Sequence, residues 1–499
     1  MSNNEQEKEE IWYYCDNQND DEIKIEIPKI PHSENMNLFG ETQEDKDKKK
    51  ETEKREDEAR KSEYERICRH EEQQNHQALF GISKYAQNTT EIDWKKEFFN
   101  LLKNKVSNFL GNFPYNNIIL FLGSGASVNG KKYGKTMSQL VEEIKNDLEE
   151  GKRKNSQKGD IDYKKIFSIE ELREYDPSNK RDDFNLESVI TQLELERESK
   201  NTNEANLEKI ENTLAYIKYK IFKEVNYREI NSNDFSHGTI MNYLIKKLKD
   251  NGTKLNVVTT NYDAVVEKVA SEHGYIVFDG FGFDSAHEFD EDIFDWNLTK
   301  QVTGVNTKEQ IYKDKVINLL KLHGSIDWAD TGTTVRKTSA QKMEEKLFSK
   351  IGQINKEQEE LNKSIKDDEV VMIFPSSNKY AQSYKEPYFD LLHRFQDILH
   401  IPNTLLITAG FSFSDDHLSQ MIFNAIKHNS DFKCLVCDFK INPFIGKGSE
   451  QSNSNQRELF NLFKKGYQIS YLKAAMNGED TDLGFYFKGI DDNEEGKNK

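Results

Sequence analysis

Short, continuous runs of apolar residues recur along the chain from residue 117 onward, and amphipathic segments separate them. The runs are NIILFLG at 117–123, KLNVVTT at 254–260, VINLLKLHG at 316–324, EVVMIFP at 369–375, NTLLITAGF at 403–411 and FKCLVCDF at 432–439. Unbroken apolar runs of this length are typical of strands buried on both faces, and helical patterns between strands indicate parallel crossovers. We therefore predict an α/β fold built on a doubly wound, mostly parallel, Rossmann-like sheet.

The same pattern divides the chain into a core and appendages. The predicted regions are a polar N-terminal extension at 1–90, an α/β domain at 91–475 with helical insertions at about 150–235 and 337–368, and an acidic tail at 476–499.

The extension is charged and is predicted to be partly disordered. The stretch from Glu41 to Gln74 is almost entirely Glu, Lys, Asp and Arg, so it buries too little apolar surface to offset the entropy of ordering unless it forms a solvated helix. The segment from Ile11 to Ile30 differs, because it carries aromatic and alternating apolar residues. Two interpretations stay open for that segment: a loosely ordered tail, or a strand that docks on another surface.

The charge balance argues against several kinds of partner. Lys and Arg number 70 and Asp and Glu number 88, which gives a net charge of −18. A chain this acidic has no global attraction for nucleic acid or an anionic membrane. It also has no apolar run of about 18 residues, no secretory signal at its start and four cysteines in 499 residues. We expect a cytoplasmic protein from a reducing compartment, with no membrane or nucleic acid as partner.

The first candidate site is the turn after the apolar run at 117–123. It consists of Gly123, Ser124, Gly125, Ala126 and Ser127. Small residues let backbone N–H groups approach a diphosphate, and the positive end of the next helix points toward it. The spacing is not GxGxxG, so this turn alone leaves nucleotide binding open.

The second candidate follows the run that ends at Thr259 and Thr260. Asn261 and Asp263 place an amide and a carboxylate at the end of that strand, where ligands bind in open α/β sheets. Asn and Asp are also favoured helix N-caps. A ligand contact and a cap therefore both remain open for these two residues.

The third candidate is His323, which ends another apolar run and precedes Gly324 and Ser325. A lone histidine is usually structural. A histidine at the carboxyl end of a buried strand, in the same layer as the glycine turn, is a better candidate for a general base.

The fourth candidate is the stretch GFSFSDDH, in which Gly410 ends an apolar run and Ser412 follows. A small-residue turn again closes a strand and opens a helix. Ser414 and Asp415 are also candidates for the N-cap of that helix.

Taken in order, the motifs G-S-G-A-S, T-T-N-Y-D, L-H-G-S and G-F-S-F-S-D-D-H resemble the sirtuin-like NAD-binding fold. In particular they resemble the sirtuin-like domains of bacterial anti-phage defence systems. The resemblance runs from about Trp94 to Leu472 and leaves the first ninety residues outside.

The resemblance implies NAD+ as substrate and a role for each matching residue. Asn261 would contact the nicotinamide ribose and help to position water, His323 would bond a ribose hydroxyl and act as base, and Asp263 would hold the nicotinamide side. The other implied NAD contacts are Gly123, Ser124, Gly125, Ala126 and Ser127 at the diphosphate, Gly410 and Ser412 at the adenosine half, and Thr260, Gly324 and Ser325.

The sequence departs from the deacetylating sirtuins in two places. Their zinc module needs four thiolate or imidazole ligands, whereas the CxxC formed by Cys434 and Cys437 lies inside an apolar strand pattern. Their proline- and arginine-containing loop after the glycine turn is here VNGKKYGKTM. Both departures favour a metal-free NAD+ glycohydrolase that yields nicotinamide and ADP-ribose and depletes NAD+ during anti-phage defence. A zinc-less NAD-dependent deacylase and a non-catalytic nucleotide-binding sensor or scaffold remain the alternatives.

Regulation is expected to come from assembly, because constant NAD+ hydrolysis would harm the cell. We expect a homo-oligomer that is stimulated by a partner encoded alongside it, either a translocase-type ATPase or a phage-protein trigger. The extension at 1–90 and the insertion from Gly151 to Asn231 are the candidate contact regions.

Overall fold

The computed structural model of the chain describes residues 8–17, 21–28, 43–74, 94–130, 133–135, 137–153, 163–176, 186–199, 202–227, 229–250, 252–301, 310–331, 333–349, 351, 369–372, 387–445, 452–478 and 481–488.

The described strands are, in chain order, β1 (Lys8–Asp16), β2 (Asp21–Pro28), β3 (Asn117–Leu122), β4 (Leu255–Thr259), β5 (Ile276–Phe278), β6 (Thr299–Gln301), β7 (Gln310–Tyr312), β8 (Val316–Lys321), β9 (Gly324–Asp330), β10 (Val335–Lys337), β11 (Glu369–Met372), β12 (Thr404–Ala409), β13 (Lys433–Asp438) and β14 (Ile469–Lys473).

The described α-helices are α1 (Gln43–Gln74), α2 (Trp94–Leu110), α3 (Met137–Arg153), α4 (Ile169–Glu174), α5 (Leu186–Glu198), α6 (Glu204–Val225), α7 (His237–Ile245), α8 (Val265–Glu272), α9 (Ala340–Ser349), α10 (Tyr388–Leu399), α11 (Asp416–His428), α12 (Ser454–Lys464) and α13 (Leu483–Phe487).

A nine-stranded sheet with the order β2-β1-β14-β13-β12-β3-β4-β8-β5 forms the centre of the protein. The strands from β14 to β5 all pair in parallel, and helices separate most of them along the chain. The predicted α/β class with a mostly parallel, doubly wound sheet is therefore confirmed.

The residues of β3 show how this sheet is buried on both faces. Ile118 and Leu120 lie in one apolar cluster, whereas Ile119 and Phe121 lie in another. Because successive side chains of a strand point to opposite faces, the two clusters cover opposite faces of the sheet. This is why the strand reads as a continuous apolar run.

One predicted strand differs from that scheme. The run EVVM forms β11, which pairs antiparallel with β9 in a separate three-stranded sheet with β10. Strand β9 begins one residue after His323, at Gly324, and was not anticipated from the sequence. An apolar run therefore identified a strand there but not its partner.

The N-terminal segment contributes two strands to the central sheet. β1 pairs antiparallel with β2 on one side and with β14 on the other, where Tyr14 lies opposite Leu472. Trp12 and Tyr14 are each only 1% exposed. The segment is therefore a docking strand, and the surface on which it docks is the central sheet of its own chain.

Helices α1 and α13 also pack on the core. Tyr64 of α1 and Leu483, Tyr486 and Phe487 of α13 are buried in the apolar cluster on one face of the sheet. Part of the stretch assigned to the acidic tail thus belongs to the packed domain. In the part of the chain that the structure describes, we find no helix long and apolar enough to cross a membrane.

The carboxyl ends of four neighbouring strands lie side by side. Ala409 of β12 is in register with Leu122 of β3, Leu122 with Thr259 of β4, and Thr259 with Lys321 of β8. The chain continues from β3 to β4 on one side and from β12 to β13 on the other. The order of strands therefore reverses between β12 and β3, which is where open α/β sheets bind ligands.

Candidate functional site

Two glycine turns meet at this reversal point. A Cβ on Gly123 would lie 2.4 Å from the carbonyl oxygen of Gly410, and one on Gly125 would lie 2.8 Å from the Gly410 Cα. Gly410 itself has φ +61°, a left-handed conformation that favours glycine. The three glycines are therefore required by backbone packing between the two turns, whether or not a ligand binds.

The amides of the first turn are largely engaged within the protein. Gly123 N donates to Ala409 O at 3.0 Å, Gly125 N to Gly410 O at 3.1 Å, and Ala126 N to Gly123 O at 2.9 Å. The side chain of Ser124 is exposed, whereas Ala126 and Ser127 are buried. In the turn predicted to hold a diphosphate, the Ser124 side chain is exposed, whereas the amides of Gly123, Gly125 and Ala126 already donate to protein carbonyls.

Asn261 lies beside this turn and is bonded to it. Its Nδ2 donates to Gly123 O and to Ser127 Oγ, each at 2.9 Å, and its backbone N donates to Thr259 Oγ1 at 3.0 Å. The Asn261 side chain is half-buried. These bonds join the end of β4 to the glycine turn, so the two candidate motifs form one cluster.

Asp263 is the buried carboxylate of this cluster. Its Oδ2 accepts a hydrogen bond from Ser127 Oγ at 2.6 Å, and its Oδ1 accepts one from Val265 N at 3.0 Å, at the start of α8. Burial raises the pKa of the Asp263 carboxyl, while Lys321 and the Ser127 hydroxyl act in the opposite direction. The N-cap of α8 is Ala264, so the cap interpretation of Asp263 was wrong. One oxygen of Asp263 accepts from the first amide of the helix, and the other holds Ser127.

His323 lies at the same edge of the sheet, two residues after the end of β8. Its Nε2 is 3.4 Å from Oδ2 of Asp415, and the two side chains are 17% and 12% exposed. The other oxygen of Asp415, Oδ1, accepts a hydrogen bond from Leu418 N and caps α11. Asp415 therefore serves as the predicted helix cap and also faces the histidine.

The loop that carries Asp415 is held in an unusual conformation. Phe413 has φ +56°, which costs a non-glycine residue about 1–2 kcal/mol. Its ring is fully buried and contacts the rings of Phe411, Phe423 and Phe444. Burial of this ring offsets the backbone cost and leaves the flanking Ser412 and Ser414 exposed.

The remaining predicted NAD contacts occupy different environments. Thr260 is half-buried and its N donates to Leu122 O at 3.2 Å. Gly324 has φ +85° at the start of β9. Ser325 is fully buried and donates to Tyr262 O at 3.3 Å, so its hydroxyl supports the backbone. Ser412 Oγ is 2.9 Å from Ser414 Oγ on the surface.

Two residues near the site were missed by sequence reasoning. Asn477 is 5% exposed and its Nδ2 donates to Ala126 O at 2.7 Å and to Val128 O at 3.1 Å. It thereby holds the far side of the glycine turn, although residue 477 had been assigned to the acidic tail. No local pattern in the sequence marks it.

Asp438 is the second residue that was missed, and it ends β13, beside β12. Burial raises the pKa of its carboxyl to about 6, and its Oδ1 accepts a hydrogen bond from Lys440 N at 2.9 Å. In dinucleotide-binding sheets a carboxylate near the glycine turn bonds a ribose hydroxyl. Gly410 N donates to Cys437 O at 3.2 Å, so Asp438 offers a carboxylate beside the second glycine turn.

Cys434 and Cys437 are fully buried on β13, where burial raises the pKa of both thiols. Both cysteines of this CxxC therefore pack in the apolar core. Within the described ranges, no group of three or more His, Cys, Asp or Glu residues is arranged to hold a metal ion.

Residues 255–459 match the family of the SIR2-like domain. This range begins at β4 and includes Asn261, His323 and Asp415. No curated protein matches the chain in sequence.

Solved structures of sirtuins are similar to the chain at low identity. One, concerned with the mechanism and regulation of Sir2 enzymes, has 12% identity and a TM-score of 0.28, and the match covers 73% of this chain and 97% of that one. Another, concerned with sirtuin substrate affinity, has 10% identity, a TM-score of 0.29 and the same coverage. At these scores the likenesses carry no argument about this chain.

Proposed function

We propose that the chain is an NAD+ glycohydrolase, because residues 255–459 match the family of the SIR2-like domain, which supports an NAD-related function. The proposal is that it cleaves NAD+ with water to nicotinamide and ADP-ribose. The observation that supports it is that Asn261, the first glycine turn with Ser127, and the His323–Asp415 pair lie together. They lie at the carboxyl ends of the parallel strands, where the strand order reverses.

Cleavage of the glycosidic bond of NAD+ mainly requires the protein to position the reacting groups. The bond between ribose C1′ and the pyridinium nitrogen is already activated, because nicotinamide leaves as a neutral molecule. The transition state is oxocarbenium-like, so the protein must hold the ribose, exclude bulk water and place one water molecule on the open face. In this proposal Asn261 orients the ribose and that water, and His323 accepts a proton from a hydroxyl group.

The other residues divide into contact and support. Ser124 at the first turn and Ser412 at the second are exposed, which suits the diphosphate and the adenosine half respectively. Asp438 is a further candidate for an adenosine ribose hydroxyl. Both oxygens of Asp263 already accept protein hydrogen bonds, which favours a supporting role for it over direct contact with nicotinamide.

The biological part of the proposal rests on the motif resemblance. We propose that the activity depletes NAD+ in anti-phage defence and that it is held low in the isolated protein. Control then comes from homo-oligomer formation and from a co-encoded translocase-type ATPase or a phage-protein trigger. Because β1 and β2 pair with the sheet of their own chain, the insertion helices α5 and α6 become the better candidates for the contact between copies.

The test is to incubate the purified full chain with NAD+ and to separate the products by chromatography. We expect nicotinamide and ADP-ribose in equal amounts without any peptide. Consumption of NAD+ that requires an acyl-lysine peptide would instead indicate a deacylase. Binding of NAD+ without turnover, both in the concentrated chain and after addition of candidate partners, would indicate the sensor or scaffold. A cyclic product would change the reaction that we name.

Asp415 offers a sharp test of the histidine pair. Asp415→Asn keeps an acceptor for Leu418 N, and Asn caps helices as well as Asp, but the charge facing His323 is lost. We expect NAD+ turnover to fall about 10- to 100-fold, the size of one charge-assisted hydrogen bond, with little change in unfolding midpoint. Asp415→Ala is the comparison, because it removes the cap as well. Normal turnover in the Asn variant would reduce Asp415 to a helix cap.

A further inference from the structure

We propose that Lys321 is a positioning residue that fixes Asn261 and His323 relative to each other, with Glu267 as its counter-charge. The proposal deepens the proposed NAD+ hydrolase function and rests on that function for its kinetic readout.

Lys321 is the last residue of β8 and is 1% exposed. Its Nζ donates to Asp263 O at 2.5 Å, to Glu267 Oε1 at 2.9 Å and to Tyr262 O at 3.4 Å. An ammonium group has three donors, so each of them has an acceptor. The side chain therefore ends directly beneath the turn that carries Asn261.

These contacts join the two halves of the candidate site. Lys321 lies two residues before His323, and the carbonyls that it binds lie one and two residues after Asn261. The Tyr262 carbonyl also accepts from Ile326 N at 3.1 Å, on the other side of the histidine. The turn between β4 and α8 is thus held to the strands on both sides of His323.

The counter-charge is less enclosed than the lysine, since the side chain of Glu267 is 19% exposed and that of Lys321 is 1% exposed. Glu267 lies in the first turn of α8, and burial raises the pKa of its carboxyl, against the effect of Lys321 and Lys337. Its second oxygen, Oε2, is buried and has no hydrogen-bond partner among the described residues. Lys321 is thus the hydrogen-bonded partner that the structure describes for this carboxylate.

An ion pair at this depth is costly, and packing alone does not explain it. Removing two charges from water can cost more than their attraction returns, and well-packed apolar residues of similar volume are often as stable or more stable. A lysine at this position does what an apolar residue cannot, because it donates to two carbonyls of a turn that follows the neighbouring strand. This is the physical reason to assign the pair to the site and not to stability.

The test is the double variant Lys321→Met/Glu267→Met, which removes both charges and leaves neither one unpaired. We expect kcat for NAD+ to fall about 10- to 100-fold, the effect of misplacing reacting groups by about 1 Å, with KM changed much less. We also expect faster amide hydrogen exchange in a peptide spanning 260–266 than in the wild type.

The matched control is Lys433→Met. Lys433 is the first residue of β13, so it lies at the amino ends of the parallel strands, away from the site. Its Nζ donates to Phe109 O at 3.0 Å, so this variant also removes a lysine–carbonyl bond. Its kcat and the exchange of 260–266 are expected to match the wild type. Equal behaviour of the control and the double variant would overturn the proposal.

Two further outcomes, a double variant that does not fold and a wild type that does not hydrolyse NAD+, are each decided by a separate measurement. If the double variant does not fold, Glu267→Gln keeps the volume and an acceptor for Lys321 but removes the counter-charge. We then expect faster exchange of 260–266 and a kcat about 3- to 10-fold lower, and no change in either would overturn the proposal. If the wild type does not hydrolyse NAD+, the proposed function fails, whereas the exchange comparison still decides the positioning role.

Discussion

Replacing His323 with alanine is expected to reduce NAD+ hydrolysis by about 10²- to 10⁴-fold, the usual loss when a positioned base is removed. The side chain lies at a strand end, is 17% exposed and faces Asp415 at 3.4 Å, so little packing is lost with it. We therefore expect the unfolding midpoint to stay close to that of the wild type. Turnover is measured as nicotinamide released per chain.

The control for this variant is His428→Ala. His428 is an exposed histidine in the last turn of α11, the helix whose first turn is capped by Asp415. It lies far from the carboxyl ends of the strands, so its loss is expected to leave turnover unchanged. Near-normal hydrolysis by the His323 variant would remove this residue from the proposed mechanism.

Asn261→Ala tests the other half of the site, and it carries a structural cost as well. The variant removes one of two hydrogen bonds to Gly123 O, which keeps Ala126 N, and one partner of Ser127. At about 0.5–1.5 kcal/mol for each lost bond, this costs about 1–3 kcal/mol of unfolding free energy. We expect turnover to fall at least as far as it does for Asp415→Asn. Because the two effects coincide, NAD+ turnover has to be compared at a temperature where both proteins are folded.

The fold was predictable where burial is symmetrical. Strands β3, β4, β8, β12 and β13 are covered on both faces, so apolar residues predominate in them and they stand out, although Asn256 interrupts β4 and Asn318 interrupts β8. β14 (ISYLK) was not predicted, although it is as long as β4 (LNVVT) and has as many apolar residues. The pairing of β1 with β14 joins residues more than 450 positions apart, and no local pattern encodes such a distance.

The site was predictable to the extent that it depends on strand ends. Parallel strands in register bring the residues after Leu122, Thr259, Lys321 and Ala409 to one edge, so motifs far apart in sequence were expected to share a layer. The buried contacts of Lys321 and Asn477 could not be inferred, because burial of a lysine or asparagine depends on tertiary packing. Asp438 was overlooked because β13 neighbours the second glycine turn in space but follows the first turn by more than 300 residues.

Gly410→Ala is expected to have the largest effect on stability among the variants considered. Its φ of +61° alone costs alanine about 1–2 kcal/mol, and the new Cβ would lie 2.5 Å from Ala126 N and from Gly125 C. Both are backbone atoms that no rotamer change can move, so the two glycine turns have to separate. We expect a loss of about 3 kcal/mol or more in unfolding free energy, measured by denaturant titration.

Gly274→Ala isolates the clash from the backbone strain. Gly274 follows α8 with φ +76°, and a Cβ there would meet no atom within 4 Å. It therefore carries the same left-handed penalty of about 1–2 kcal/mol without any contact. If the two alanine variants lose equal stability, the close packing of the glycine turns contributes nothing. If Gly410→Ala loses more, and also loses NAD+ turnover at a temperature where it is folded, the contact between the turns sets the geometry of the Ser412 to Asp415 loop that faces His323.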